Sequence, residues 1–162
     1  MRLSTRRLAA LLVCTLLLAV PAAHAKDFQA VTGTYTLQPY ALYSMVQHSK
    51  NVCIFEFGIY FNLVGDLNGT IDLIVTMNLK GLCEDGSAPA NLRGKGSFTG
   101  QLGESGGTFE GTFVAWHEQG QAHGRIVIQH GAGDLAGLHG ILNVAGTPGV
   151  GGVYSGELHF AP

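Results

Sequence analysis

Charged residues and cysteines are scarce in this sequence. Only 12% of the 162 residues are Asp, Glu, Lys or Arg, and there are three cysteines. Beyond residue 25 the chain keeps six of its nine basic residues and all eleven acidic ones, a net charge of −5 with His neutral. Nucleic acid and anionic membrane surfaces bind clustered Lys and Arg. The composition therefore predicts neither of these as a partner.

Motifs that mark common catalytic or metal sites are also missing. The sequence contains no HxH, HExxH or CxxC spacing, no nucleophile elbow and no phosphate loop. The stretch from Gly131 to Gly137 is rich in glycine, but it lacks the spacing of a dinucleotide loop and no helical pattern follows it. We interpret it as an arch between strands, and we expect no cofactor and no metal.

The first 25 residues match a secretory signal peptide. Three arginines lie within the first seven residues, Leu8 to Val20 is an apolar stretch of about 13 residues, and Ala23-His24-Ala25 supplies the small residues of a cleavage site. The stretch is shorter than the ~20 residues that span a bilayer as a helix. Lipoprotein cleavage at Cys14 and an uncleaved anchor are the alternatives. We expect an exported protein, periplasmic or extracellular, with no membrane span after cleavage.

Residues 26–162 predict a single small all-β domain. All 24 glycines fall in this part, spread between short apolar segments, and the clearest hydrophobic period is two. The pattern predicts an antiparallel eight-stranded barrel with Gly-rich turns. The predicted strands cover residues 28–37, 53–63, 70–79, 91–102, 108–118, 123–130, 138–144 and 153–160.

Two apolar rows flank the turn-forming stretch 65–69. They are the odd-numbered residues of 53–63 and of 71–79. Directly paired residues share a face of the sheet, so a loop with an odd number of residues is needed to match the rows. A five-residue loop, 66–70, places Cys53 opposite Cys83, within the reach of a disulfide. A bulge would shift this register, and two buried free thiols are the alternative to a disulfide.

The order of four Gly-rich segments resembles a bacterial, uncharacterised branch of the allene oxide cyclase-like barrel superfamily, which also includes the dirigent proteins. The segments are Gly65-Asp66-Leu67-Asn68-Gly69, Asp85-Gly86-Ser87-Ala88, the strand Gly107 to His117, and Gly133 to Gly140. The resemblance implies an eight-stranded antiparallel barrel with a narrow apolar cavity. It also implies a histidine at position 117, without assigning it a role. The paired cysteines and the apolar run 52–64 depart from that branch.

Histidines and carboxylates supply the candidate catalytic residues. His117 would lie opposite His123 if the turn centred on Gln119-Gly120-Gln121, or opposite Ala122 if it comprised Gln119-Gly120 alone. Scattered surface histidines are the alternative to a shared site. A carboxylate in an apolar cavity has a raised pKa and can act as a general acid or base. Glu56 is the preferred candidate because its strand face is mixed, although alternation places it outside.

An aromatic row is the strongest candidate for a cavity lining. Phe55, Phe57, Ile59 and Phe61 share one face of a strand, and small barrels either fill their interior with such side chains or hold one small ligand. Three functions follow as hypotheses. They are a binding protein for a small apolar molecule, a cofactor-free isomerase or cyclase that uses Glu56 or His117, and an interaction or structural protein, with an oligomer as one form of it.

Overall fold

The computed structural model describes residues 28–85 and 88–161 of the chain. The predicted signal segment, residues 1–25, lies outside this part. Across the described residues, no helix is long and apolar enough to cross a membrane. The strands are β1 (Gln29–Ser49), β2 (Val52–Gly65), β3 (Leu67–Leu79), β4 (Ala90–Leu102), β5 (Ser105–Glu118), β6 (Gln121–Gly133), β7 (Leu138–Thr147) and β8 (Gly151–Phe160).

The eight strands form one closed ring in which every strand is antiparallel to both of its neighbours. Each strand pairs with the next along the chain, and β1 also pairs with β8. The predicted all-β fold with eight antiparallel strands is therefore confirmed. A closed ring leaves no free sheet edge wherever a strand has a neighbour on both sides.

Alternation along the strands places the apolar rows inside the ring. The buried apolar residues are odd-numbered on β1, β2, β3 and β5 and even-numbered on β4, β6, β7 and β8, as the period of two requires. One large cluster fills most of the interior, with Phe98 and Phe109 stacked at a centroid distance of 4.5 Å. A second, smaller cluster forms around Cys53 and Leu79.

The turn between β2 and β3 is tighter than predicted. Leu63 pairs with Gly69 and Cys53 with Leu79, so the predicted loop 66–70 is wrong. Gly65, at φ 140°, makes the turn, and Asp66 fixes it to β1 because its carboxylate accepts a hydrogen bond from the Thr32 amide at 2.7 Å. The register still joins odd with odd residues, so both apolar rows lie on the predicted face.

The Cys53–Cys83 disulfide is present, with the two Cα atoms 5.1 Å apart. Its geometry differs from the prediction, because Cys83 is not a strand residue opposite Cys53. It lies in the loop 80–89 between β3 and β4, which turns back toward the ring. The disulfide therefore attaches this loop to β2 and does not link two paired strand positions.

Strand β1 extends twelve residues beyond the predicted end at Leu37. Its first part closes the ring through the pairs from Gln29↔Leu158 to Thr36↔Gly151. Its second part pairs with β2 alone, and three register shifts interrupt that pairing. The β1–β2 hairpin consequently rises above one end of the ring.

A buried tyrosine holds the opposite end of the ring. Tyr154 is 2% exposed, and its hydroxyl accepts a hydrogen bond from the Leu67 amide at 2.9 Å and donates one to the Leu67 carbonyl at 3.0 Å. Burial raises the pKa of this hydroxyl, and the charge of Asp66 raises it further. Its ring lies over Gly33, where a Cβ would collide with it. This contact links β8 to β1 and to the start of β3.

The Tyr154→Phe variant should lower the free energy of unfolding by about 1–3 kcal/mol, because the Leu67 amide and carbonyl would lose a buried partner. Tyr35→Phe is the matched control, since Tyr35 is also buried but its ring stacks on Phe61. Urea denaturation followed by circular dichroism measures both. Equal losses in the two variants would contradict the role given to the Tyr154 hydroxyl.

Replacing both Cys53 and Cys83 by Ala should cost about 3–4 kcal/mol of stability, as expected for a crosslink across this separation. The ring should persist, because β2 and β3 pair along their whole length without the disulfide. In thermal melts, reducing the wild type should lower its stability by the same amount as the double substitution. Reducing the variant should lower its stability no further. Hydrogen exchange should accelerate in the loop 80–89 and not at Tyr154. Unchanged exchange in the loop would refute its attachment by the disulfide.

Candidate functional site

The two ends of the ring differ in how they are closed. At the end that carries the β2–β3 turn, large side chains fill the interior completely, among them Leu67, Leu135 and Leu138, each with no exposed surface. At the other end, where the β1–β2 hairpin rises, the interior contains a cavity of about 250 Å³. The apolar interior is thus filled at one end and hollow at the other.

The cavity is lined almost entirely by apolar side chains. Its walls combine large residues of β1 to β3 with small ones of β5 and β6, where Ala115 and Ala122 leave space that larger residues would fill. The turn between β7 and β8 forms the far rim through Pro148 and Gly149. The lining therefore suits an apolar molecule.

Three of the four predicted lining residues reach the cavity. Phe57, Ile59 and Phe61 lie on its wall, and Phe61 also stacks on Tyr35 at a centroid distance of 5.1 Å. Phe55 does not line the cavity. It packs against the small cluster around Cys53 beyond the cavity mouth, because the hairpin carries it above the ring.

His117 is on the cavity wall and is 9% exposed. The turn after β5 comprises Gln119 and Gly120 alone, both at positive φ, so His117 pairs with Ala122 and its side chain faces inward. Its Nε2 lies 2.7 Å from the Ala88 carbonyl oxygen. A carbonyl only accepts hydrogen bonds, so Nε2 carries the proton, and Nδ1 of the neutral ring is an acceptor.

His123 lies beside Trp116 on the neighbouring strands, with the ring centroids 5.8 Å apart. It is exposed and reaches the rim of the cavity. The alternative in which His117 and His123 face each other across the turn is therefore excluded by the observed pairing. Within residues 28–85 and 88–161, no three His, Cys, Asp or Glu side chains are grouped to hold a metal ion.

The described residues of the loop between β3 and β4, 80–85 and 88–89, are attached at several points, and Ala88 lies behind His117. The disulfide holds Cys83, and the Gln47 side chain accepts a hydrogen bond from the Cys83 amide at 2.8 Å. The Gln47 amide group also donates to the carbonyls of Ser49, Val52 and Gly81. Gln47 thus connects the tip of the hairpin with the loop.

Glu56 lies on the outer face of β2 and is exposed. Its partners in the ladder are Ser44 and Thr76, whose side chains share that outer face. The structure therefore does not place this carboxylate in the cavity, which corrects its candidacy as a cavity acid or base. Three carboxylates on other strands, Asp72, Glu110 and Glu157, are exposed as well.

An apolar shelf continues from the cavity mouth along the inner face of the hairpin. It consists of Leu42, Met45, Phe55 and Phe57. Leu42 is 60% exposed and Met45 54%, because β6 to β8 do not extend to this height. The sequence prediction missed the shelf by ending the first strand at Leu37. The signal present in the sequence was an uncharged, apolar stretch up to Ser49.

A larger depression, of about 480 Å³, crosses the outer surface of β3 to β6. Tyr40 lines this depression, stacks on Tyr60 and donates a hydrogen bond to Asp72 at 2.8 Å. Hydrogen bonds to Tyr43 and Asp72 raise the pKa of the Tyr40 hydroxyl. This depression is wide open to solvent, so the enclosed cavity is the better candidate for a site.

No protein-family model matches the chain, and no curated protein matches it. Among solved structures, the chain is similar to the crystal structure of a protein of unknown function of the DUF3224 family from Shewanella oneidensis MR-1. The TM-score is 0.66 at 18% sequence identity, over 84% of this chain and 99% of the other. At this identity the similarity concerns the fold alone.

Proposed function

We propose that this chain is an exported small β-barrel that binds one small, mainly apolar molecule in the cavity beside His117. The observation that carries the proposal is the enclosed, apolar cavity of about 250 Å³ at one end of a ring that is otherwise filled. Protein interiors are close-packed, and voids of this size are few. An apolar cavity of about 150 Å³ suffices to bind a molecule the size of benzene.

The polar groups on the cavity wall restrict the ligand further. His117 donates its Nε2 proton to Ala88, so Nδ1 is the ring nitrogen left for a ligand, and in the neutral ring it is an acceptor. An apolar body with a single hydroxyl or N–H group would satisfy that nitrogen. Tyr35 and His123 are the other polar side chains on the lining, and none of the lining residues is Asp, Glu, Lys or Arg. The ligand class that fits is a mainly apolar molecule, and the shelf at the mouth offers additional apolar contact to a longer one.

Export and family membership are part of the same proposal. The disulfide supports an oxidising compartment, because such bonds rarely persist in the cytosol. The leader pattern of residues 1–25 agrees with it. A ring of eight antiparallel strands with an apolar cavity is also what the resemblance to the allene oxide cyclase-like superfamily implies. No observation favours the isomerase or cyclase alternative, which was based on a cavity carboxylate at position 56.

The neutral fluorescent probe N-phenyl-1-naphthylamine should bind with its emission enhanced, as it does when it leaves water for an apolar site. Val144→Phe and Ala122→Phe place bulk in the cavity and should each weaken binding at least tenfold. Val114→Phe is the matched control, the same exchange on the exposed outer face of β5, and should bind like the wild type. Circular dichroism verifies that each variant is folded.

Native mass spectrometry of the protein purified from its own source complements the probe, because it reveals any ligand the protein carries. Equal probe binding by the wild type and both cavity variants would place the probe elsewhere and refute the cavity as the site. An unliganded natural protein together with no probe binding would refute the proposed function.

A further inference from the structure

The second half of β1 has one paired edge and one open edge. Pairing with β8 ends at Thr36↔Gly151, followed by one hydrogen bond from the Leu37 amide to the Val150 carbonyl. From residue 38 to Ser49 the strand pairs with β2 only. The ring therefore has an open edge of about one strand length, whose outward amides and carbonyls have no partner strand among residues 28–85 and 88–161.

This edge lacks the charges that usually protect such a strand. No Asp, Glu, Lys or Arg occurs between residues 28 and 49. A seven-residue stretch of this edge, residues 40–46, carries five large apolar side chains that are exposed: Tyr40, Leu42, Tyr43, Met45 and Val46. Natural edge strands are protected by charges, prolines or bulges, and contiguous exposed apolar residues mark interaction surfaces. Here Pro39 and three bulges interrupt the edge, and they leave Ser44–Gln47 as a regular run.

We propose that the open edge of β1 binds the same edge of a second copy of this chain, antiparallel, about a two-fold axis at Val46 that places the two Val46 residues directly opposite each other on the same face of the sheet. The charge distribution selects this occupant. Residues 26–162 carry a net charge of −5, so two copies repel each other over most orientations. The uncharged edge is a surface on which they approach without facing charges, and a two-fold axis requires a patch that complements itself.

The same edge carries no Asp, Glu, Lys or Arg that would recognise a charged peptide. Between residues 38 and 49 a foreign acidic or basic strand would meet apolar and uncharged polar side chains and one histidine, His48. Dimerisation also has a consequence for the cavity mouth. It places the two shelves side by side on one continuous sheet, so that apolar surface of Leu42 and Met45 that is now exposed becomes buried where the shelves meet.

Sedimentation equilibrium of the purified protein, with its N-terminus checked by mass spectrometry, tests the proposal. The wild type should sediment at twice the mass of one chain at micromolar concentration. Val46→Lys and Val46→Glu should each weaken dimerisation at least tenfold, because like charges would meet at the axis. Val153→Lys is the matched control, since Val153 on β8 is 57% exposed and Val46 is 50% exposed. It should remain dimeric.

An equimolar mixture of Val46→Lys and Val46→Glu should recover the dimer, because opposite charges are then adjacent across the axis. Hydrogen exchange of the wild type should show protection that increases with protein concentration at residues 44–47. A wild type that stays monomeric at hundreds of micromolar would overturn the proposal. So would dimers that Val153→Lys disrupts and Val46→Lys does not, or a mixture that fails to associate while each variant is folded by circular dichroism.

Discussion

The pairing of β1 with β8 is the constraint on which the rest of the structure depends. It closes the ring, and it uses only the first eight residues of β1, from Gln29 to Thr36. Because β8 has 10 residues and β1 has 21, closure leaves the second half of β1 without a partner on one side. The hairpin, the apolar shelf and the open edge all result from this difference in strand length. A β1 that ended level with β8 would produce a ring with none of these three features.

Glycines allow tyrosine rings to pack closely against a neighbouring strand at two contacts. The ring of Tyr154 lies over Gly33, and that of Tyr40 lies over Gly58, and a Cβ at either glycine would collide with the tyrosine. Each tyrosine ring covers the glycine of a neighbouring strand. The Tyr154 hydroxyl donates a hydrogen bond to the Leu67 carbonyl, and the Tyr40 hydroxyl donates one to the Asp72 carboxylate. An Ala at position 33 would force the Tyr154 ring to move and would disturb its hydrogen bonds. The high glycine content is thus explained here by packing as well as by turns.

The sequence predicted those parts of the structure that depend on the period of two. It identified eight strands, the inner faces of β2 and β3, and the disulfide partner of Cys53. The predicted register between β2 and β3 was wrong by four residues, because Cys53 pairs with Leu79 and not with Cys83. Only the pairing of odd-numbered with odd-numbered residues was right. The long end of β1 could not be predicted in this way. Bulges place Leu42 and Met45, three residues apart, on the same face, and this removes the alternation. The sequence left open whether His117 lies opposite His123 or Ala122, because Gln119-Gly120 is a weaker turn signal than Asn-Gly.

The attachments of the loop between β3 and β4 hold the carbonyl that orients His117, although none of the loop's described residues lines the cavity. Cys83 is held by the disulfide and by Gln47, and Ala88 is held by His117, so three bonds from three different strands meet in one loop. The hydrogen bond to Ala88 orients His117 before a ligand enters, and the cost of binding is lower for a preorganised wall residue. The disulfide lies outside the cavity lining, and Ala88 packs in the same small cluster as Cys53. Its contribution to the site is therefore indirect. The Ala88 carbonyl is the acceptor at Nε2, so a neutral His117 ring keeps its proton there and Nδ1 is left as an acceptor.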